Sequence, residues 1–264
     1  MKFYSLLFLA LVPTFGWANT NELQNPIETG IDLTQKKLKP IIAATTPFTA
    51  EYNVDYGSIG LGKAKYDFPA PEGNTYTFKF KSSLSFLLLS DKRKVVSEFT
   101  IEDNKLTPFR FLHHRKGTGP DYREQAAFIR SENIVHTRYK DEKAKIEYDN
   151  DLLDPLMTQL QIRIDLQNNR KELTYKMVEE NQVENYKFKI LGQEVMKLES
   201  GSYDTIKLEV VRKSKKRHTY FWMAPDLGYL PIRLSHFEKG DKQLDMTLRS
   251  YKFLALEQQT ALAK

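Results

Sequence analysis

The sequence predicts a mainly β protein, a curved antiparallel sheet forming an open, unclosed barrel with one central helix near residues 154–166. Three observations carry this. Apolar and polar residues alternate with period two along much of the chain after Phe48, the pattern of half-buried antiparallel strands. Turn-forming clusters punctuate the alternation at Pro71-Glu72-Gly73-Asn74, Gly117-Thr118-Gly119-Pro120, Glu199-Ser200-Gly201 and Lys239-Gly240-Asp241. One segment alone repeats with a helical period.

Taken in chain order, residues 1–18 read as an export signal cleaved after Ala18. Lys2 gives a positive start, Phe3–Val12 is almost continuously apolar but too short to span a bilayer, and Gly16 and Ala18 are small residues at a cleavage site. Residues 19–47 form a polar leader or edge segment, weakly amphipathic over Ile31–Ile42. A single β-rich domain is expected over 48–254, with a tail over 255–264.

Within the domain, Tyr76, Phe78 and Phe80 face one way while Thr77, Lys79 and Lys81 face the other. Tyr186, Phe188 and Ile190 alternate with lysines likewise, as do Ile206, Leu208 and Val210 with Lys207 and Glu209. The alternation template gives about ten to twelve strands. After Asp154-Pro155, apolar residues fall at Leu156, Met157, Leu160 and Ile164, a helical stripe with Asp154 as N-cap and Pro155 at the first helical position. Such a helix needs a sheet to lie on, and a sheet curled around it leaves the helix as plug or lid. No Pro/Gly/Ser-rich linker divides the chain, so one continuous sheet is preferred over two half-domains.

Composition narrows the function classes. The chain has 40 basic and 34 acidic side chains, and loss of Lys2 with the signal leaves a net charge of +5, mildly basic and dispersed. Nucleic acid is not expected as a partner of an exported protein with so weak a field. The absence of cysteine removes thiolate chemistry, a lipid-modified N-terminal Cys and disulfides, so the core must hold the fold. No later stretch reaches 18 apolar residues, so no membrane span is expected, and the periplasm is the expected location.

Motifs for catalysis are missing. Gly57-Ser58-Ile59-Gly60-Leu61-Gly62-Lys63 spells a phosphate-loop pattern, yet Ala64 stands where Ser or Thr must follow and the segment continues as a strand. Glycines at a strand bend account for it better. His113, His114, His136, His218 and His236 show no metal-ligand spacing, and no spacing singles out a carboxylate pair. A Gly-x-Ser-x-Gly nucleophile motif is absent. The reading is therefore noncatalytic, with no metal and no cofactor.

Two segments remain as binding candidates. Arg212–His218 places Lys213, Lys215, Lys216 and Arg217 on a turn between strands, suited to anionic lipid or glycan and equally to a solvated tip that keeps strand edges apart. Leu84-Ser85-Phe86-Leu87-Leu88-Leu89 is apolar on both faces, as a strand that is covered or that lines a cavity. Tyr52, Tyr56, Tyr66 and Tyr76 could rim such a pocket.

The C-terminal third is more distinctive. Thr219-Tyr220-Phe221-Trp222-Met223-Ala224-Pro225-Asp226 followed by Leu230-Pro231-Ile232-Arg233, with Phe48-Thr49-Ala50-Glu51-Tyr52 near the start, resembles the exported bacterial family of domain of unknown function 3108. The likeness runs from about Phe48 to Tyr251, and the family supplies no established catalytic residues. The block reads as strand, tight loop and partner strand, with Pro231 at an edge or bulge and Arg233 reaching an acidic partner such as Asp204 or a ligand cavity. The layout is also loosely similar to periplasmic lipoprotein-carrier half-barrels, an analogy of architecture alone.

The expected function is a binding or transport module for a lipid, acyl chain or glycolipid of the cell envelope. Its cavity candidates are Phe78, Phe80, Phe86, Leu88 and Trp222, with Arg233 as polar contact. The alternative is an assembly or structural module binding an envelope protein or peptidoglycan through a sheet edge or the basic turn. A glycan hydrolase ranks third and requires two converging carboxylates.

Overall fold

The computed structural model describes residues 42–254; the residues read as an export signal, most of the expected leader segment and the expected tail lie outside them. The described chain forms β1 (Phe48–Tyr56), β2 (Ile59–Phe68), β3 (Tyr76–Phe86), β4 (Leu89–Glu102), β5 (Lys105–Gly117), β6 (Tyr122–Ile129), β7 (Ile134–Tyr139) and β8 (Glu142–Glu147). A two-residue β9 (Leu152–Leu153) leads into helix α1 (Pro155–Gln167). There follow β10 (Leu173–Glu179), β11 (Gln182–Leu198), β12 (Gly201–Val211), β13 (Arg217–Ala224), β14 (Leu230–Glu238) and β15 (Asp241–Phe253).

These make one 15-stranded sheet in the order β8-β7-β6-β5-β4-β3-β2-β1-β15-β14-β13-β12-β11-β10-β9. Two meanders flank the helix in sequence and are joined where β1 pairs with β15, so one sheet spans both halves. Every ladder is antiparallel except the two-residue parallel bridge of β9 with β10. The barrel is not closed: β8 and β9 remain as edges. The strand count exceeds the expected ten to twelve because several turns, Leu87-Leu88 among them, carry no Gly, Pro or Asn to announce them.

Alternation decides the faces. Ala50, Tyr52, Val54, Ala64, Tyr66, Phe78, Phe80, Val95 and Phe99 all point inward and are buried. Phe48, Phe68, Phe78 and Phe99 form a packed aromatic cluster, with ring centroids 6.0 Å apart for Phe48–Phe78 and 6.4 Å for Phe68–Phe99.

Helix α1 forms where the sequence announces it. Oδ1 of Asp154 accepts the backbone N–H groups of Leu156 (2.9 Å) and Met157 (2.8 Å), and Pro155 takes the first helical position. The helix ends at Asn168, whose N–H bonds Ile164 O. Burial of α1 extends beyond the expected apolar stripe. Nearly every residue from Pro155 to Leu166 is buried, polar ones included, because the sheet wraps around the helix. It is a plug. Gln161 bonds the backbone at Asn104 and Leu106, and Arg163 the backbone at Gly228, which places α1 near the turns at 103–104 and 225–229. The hairpin turns at 57–58, 87–88, 118–121, 180–181, 212–216 and 239–240 lie at the opposite end, since the strands alternate in direction.

Candidate functional site

Between α1 and the sheet lies an internal hollow of about 40 Å³. Phe48, Tyr66, Phe78, Met177, Phe188 and Phe221 line it from the strands, and Thr158, Gln159, Ile162 and Arg163 from the helix. Its wall is mostly apolar, and Arg163 is the one charged residue in it. Arg163 is 1 % exposed, its guanidinium lies 4.6 Å from the Phe48 ring centroid, and its Nε donates to Gly228 O at 3.0 Å. Among the described residues neither Nη1 nor Nη2 has a hydrogen-bond partner.

Burial lowers the Arg163 pKa to about 10, with nearby Tyr52 opposing the shift, so the group remains cationic at neutral pH. A buried charge is ordinarily paired, because an uncompensated one in a low-dielectric interior costs several kcal/mol. Here a cation with free donors faces an apolar hollow. That arrangement suits a carboxylate or phosphate attached to an apolar body.

A second polar cluster fills the barrel interior towards the hairpin end. Asp91 accepts from Arg93 Nε (2.7 Å) and Arg115 Nε (2.6 Å). Glu124 accepts the backbone N–H of Glu180 (2.7 Å) and lies 3.7 Å from Nδ1 of His113. Glu179 accepts from the Tyr186 hydroxyl at 2.9 Å, and burial, reinforced by the Glu124 charge, pushes its carboxyl well above the usual range. Both glutamates are buried and occupied by neighbours, so the arrangement presents no open cleft for a sugar. Among the described residues no group of His, Asp and Glu stands ready to hold a metal ion.

The residues singled out from the sequence separate. Phe78 lines the hollow, while Phe80 packs in the core against Tyr66, ring centroids 4.9 Å apart. Phe86 and Leu88 do not reach a cavity: Leu84–Leu89 is the end of a hairpin, with Leu87 and Leu88 at the exposed turn. Trp222 lies on the outer face, since its neighbours Phe221 and Met223 take the inner one. Its indole N–H donates to Glu194 and its ring carries the Lys207 ammonium at 4.8 Å and the Arg233 guanidinium at 5.2 Å. Arg233 also points outward, and its partner is Asp245, bonded twice at 2.8 and 2.6 Å, rather than Asp204 or a ligand. A bulge beside Pro231 in its own strand, with Ile232 as the extra residue, accommodates that proline.

Lys213, Lys215 and Lys216 stand on the exposed β12–β13 turn, and Arg217 pairs with Glu238 at 3.3 Å. Tyr52 and Tyr66 are buried, donating to Pro231 O (2.8 Å) and Gln159 Oε1 (2.6 Å). Sequence reasoning missed Arg163. The signal was present: the one basic residue of the helical segment, set between Ile162 and Ile164.

Fold and site together define an open antiparallel β-barrel plugged by one buried helix. The chain belongs to the family described as protein of unknown function DUF3108, whose sequence profile matches residues 51–248. Among solved structures it is similar to a β-barrel-like protein of domain of unknown function DUF1849 from Brucella abortus, at 11 % identity and a TM-score of 0.55, covering 79 % of this chain and 98 % of that one. A protein provisionally described as a lipoprotein from Parabacteroides distasonis matches at 12 % identity and a TM-score of 0.32, over 80 % of this chain and 98 % of its own. No curated protein matches the sequence. Among the described residues no helix is long and apolar enough to cross a membrane.

Proposed function

We propose that this protein is a noncatalytic binding module of the bacterial periplasm that takes an acidic amphipathic component of the cell envelope. The apolar part enters between α1 and the sheet, and the acidic head pairs with Arg163. A single observation carries the reading: a buried guanidinium whose two terminal nitrogens have no partner among the described residues, in the wall of a mostly apolar hollow. A hollow of about 40 Å³ holds little more than a water, whereas ligand pockets run roughly 300–1,000 Å³. Binding therefore requires α1 to move away from the strands it packs against. Location in the periplasm rests on residues 1–18 as an export signal.

The test uses delipidated protein with a lysophosphatidylglycerol (anionic) and a monoacylglycerol (neutral) of equal chain length. At about a hundred times its dissociation constant the anionic amphiphile should raise Tm by about 5–10 °C. Arg163→Met, which keeps an unbranched apolar stem and removes the charge, should abolish that rise. No rise with the anionic amphiphile, or an equal rise with the neutral one or in the variant, overturns the reading.

A further inference from the structure

Exposed large apolar side chains on the described residues are mostly scattered singly, as on any soluble protein. One group is not. Phe86, Leu87, Leu88 and Leu89 form the tip of the β3–β4 hairpin, Leu87 being 87 % and Leu88 95 % exposed. Ile59, also exposed, lies three residues along β2 from the Gly62–Leu84 pair and so reaches the same level. Leu87 holds the turn with φ +52°, a left-handed conformation that disfavours leucine and that Gly or Asn adopts readily.

Below the tip the outer face of the sheet is basic. The register aligns Lys63, Ser83, Lys92 and Lys116 in one row across β2–β5. The next row aligns Lys65, Lys81, Lys94, His114 and Arg123 across β2–β6. Like charges directly opposite each other destabilise a sheet, and an ordinary solvated face interleaves signs. Relief is slight: Glu51 pairs with Lys65 at 3.3 Å, and Asp121 sits at the edge of the field. The first row lies four residues below Leu88, roughly 13 Å at about 3.3 Å per residue, and lysine stems reach back towards the tip.

We infer that this hairpin end is a docking surface for an anionic phospholipid bilayer. The Phe86–Leu89 tip enters the interfacial layer, where amphipathic segments bury about 5–10 Å deep. The first lysine row then stands just outside the phosphates, within reach of its side chains, and the second, about 20 Å from Leu88 at about 3.3 Å per residue, adds its charge from further out. Charge complementarity favours this occupant: a protein partner would need an acidic surface beside a greasy socket, whereas an anionic membrane supplies both as one layer. The inference is independent of Arg163, which lies at the other end of the barrel.

Flotation of the full chain with vesicles tests it, using phosphatidylglycerol with phosphatidylethanolamine against pure phosphatidylcholine. The chain should float with the anionic vesicles and not with phosphatidylcholine. Leu87→Gly/Leu88→Ser suits the positive φ, so it should fold at least as well as the parent yet lose binding roughly tenfold or more. Each of Lys81→Ala, Lys92→Ala and Lys94→Ala should weaken it roughly fivefold. Leu88→Trp should shift its fluorescence to the blue on contact with the anionic vesicles. Failure to float with anionic vesicles at low salt overturns the inference, as does undiminished binding by the tip variant. Tip-dependent dimers without vesicle binding, seen by light scattering, would reassign the tip as a protein interface and overturn it too.

Discussion

Asp154 caps α1 with one carboxylate oxygen and leaves the other without a partner among the described residues. Oδ1 takes two backbone N–H groups and the Ser97 hydroxyl (2.7 Å), tying the helix start to β4. Those bonds favour the charged form, but full burial outweighs them and pushes the carboxyl up to about 7. A carboxyl whose folded pKa lies above its unfolded value near 4 binds more protons in the folded state between the two. Its contribution is therefore most favourable below about pH 4 and is lost as pH rises to about 7. His236 acts oppositely in an overlapping window: burial, aided by Arg212, lowers it to about 4, so the folded state binds fewer protons and stability is lost as pH falls from about 6.5. Comparing the parent with Asp154→Asn cancels the histidine. The variant keeps an N-cap acceptor, and its stability relative to the parent should rise by of order 3–5 kcal/mol between pH 4 and 8. Denaturant unfolding at the two pH values measures it; a difference that stays flat refutes a protonated Asp154. At this scale the cap was legible, because Asp-Pro before an apolar run has few other uses. The free donors of Arg163 were not, since they depend on which distant strands surround the helix.

Individual strands were the most legible part of the sequence, because a half-buried sheet imposes a period of two residue by residue. Strand ends were harder. The run Leu84–Leu89 reads as one doubly apolar strand, but the chain reverses inside it at a leucine with positive φ, which no turn-residue rule anticipates. Two glycines frame that hairpin. Gly62 and Gly117 have φ of +148° and +153°, and a Cβ on either would meet a backbone oxygen of the hairpin, Ser83 O at 2.2 Å or Ser90 O at 2.1 Å. The glycines of the apparent phosphate-loop pattern thus serve close backbone approach and a strand bulge, as expected of glycines at a bend. Backbone cannot yield as a side-chain tip does, so Gly117→Ala should cost about 2–4 kcal/mol. Thermal unfolding that shifts Tm by less than a degree contradicts the close approach. The same change should also reduce vesicle flotation by disturbing the tip that Thr118 steadies, through its bonds to Ser90 N and Leu88 O.

Across the whole molecule, continuity of the sheet is broken at one place. From β8 through β1 and β15 to β10 every neighbour is laddered, and only between β8 and β9 does the hydrogen-bonded wall stop. Side chains and short contacts bridge the gap: Lys176 with Asp149, Asn181 with Glu142 O at 3.1 Å, and the Glu180 N–H with Glu124. The crevice there is lined by Ile146, Glu147 and Tyr148 on one side and Lys176, Val183 and Asn185 on the other. Helix α1 hangs directly from this seam, since β9 precedes it with only the parallel bridge Lys176–Leu152 and Met177–Leu153. One continuous sheet was foreseeable from the missing linker; where it fails to close was not, because closure depends on the register of many strands together. Enlarging the hollow without breaking a long ladder requires the seam to part and α1 to swing with it. Amides over 142–154 should accordingly exchange at least about a hundredfold faster than those of the β1–β15 ladder, a difference of about 3 kcal/mol in opening free energy. An acidic amphiphile held by Arg163 should change exchange over α1 and 142–154 together while leaving β1 and β15 unaltered. Mass-resolved hydrogen exchange reads both. Equal protection at the seam and in the central ladder would mean that the helix has no way out, and the ligand reading would fall with it.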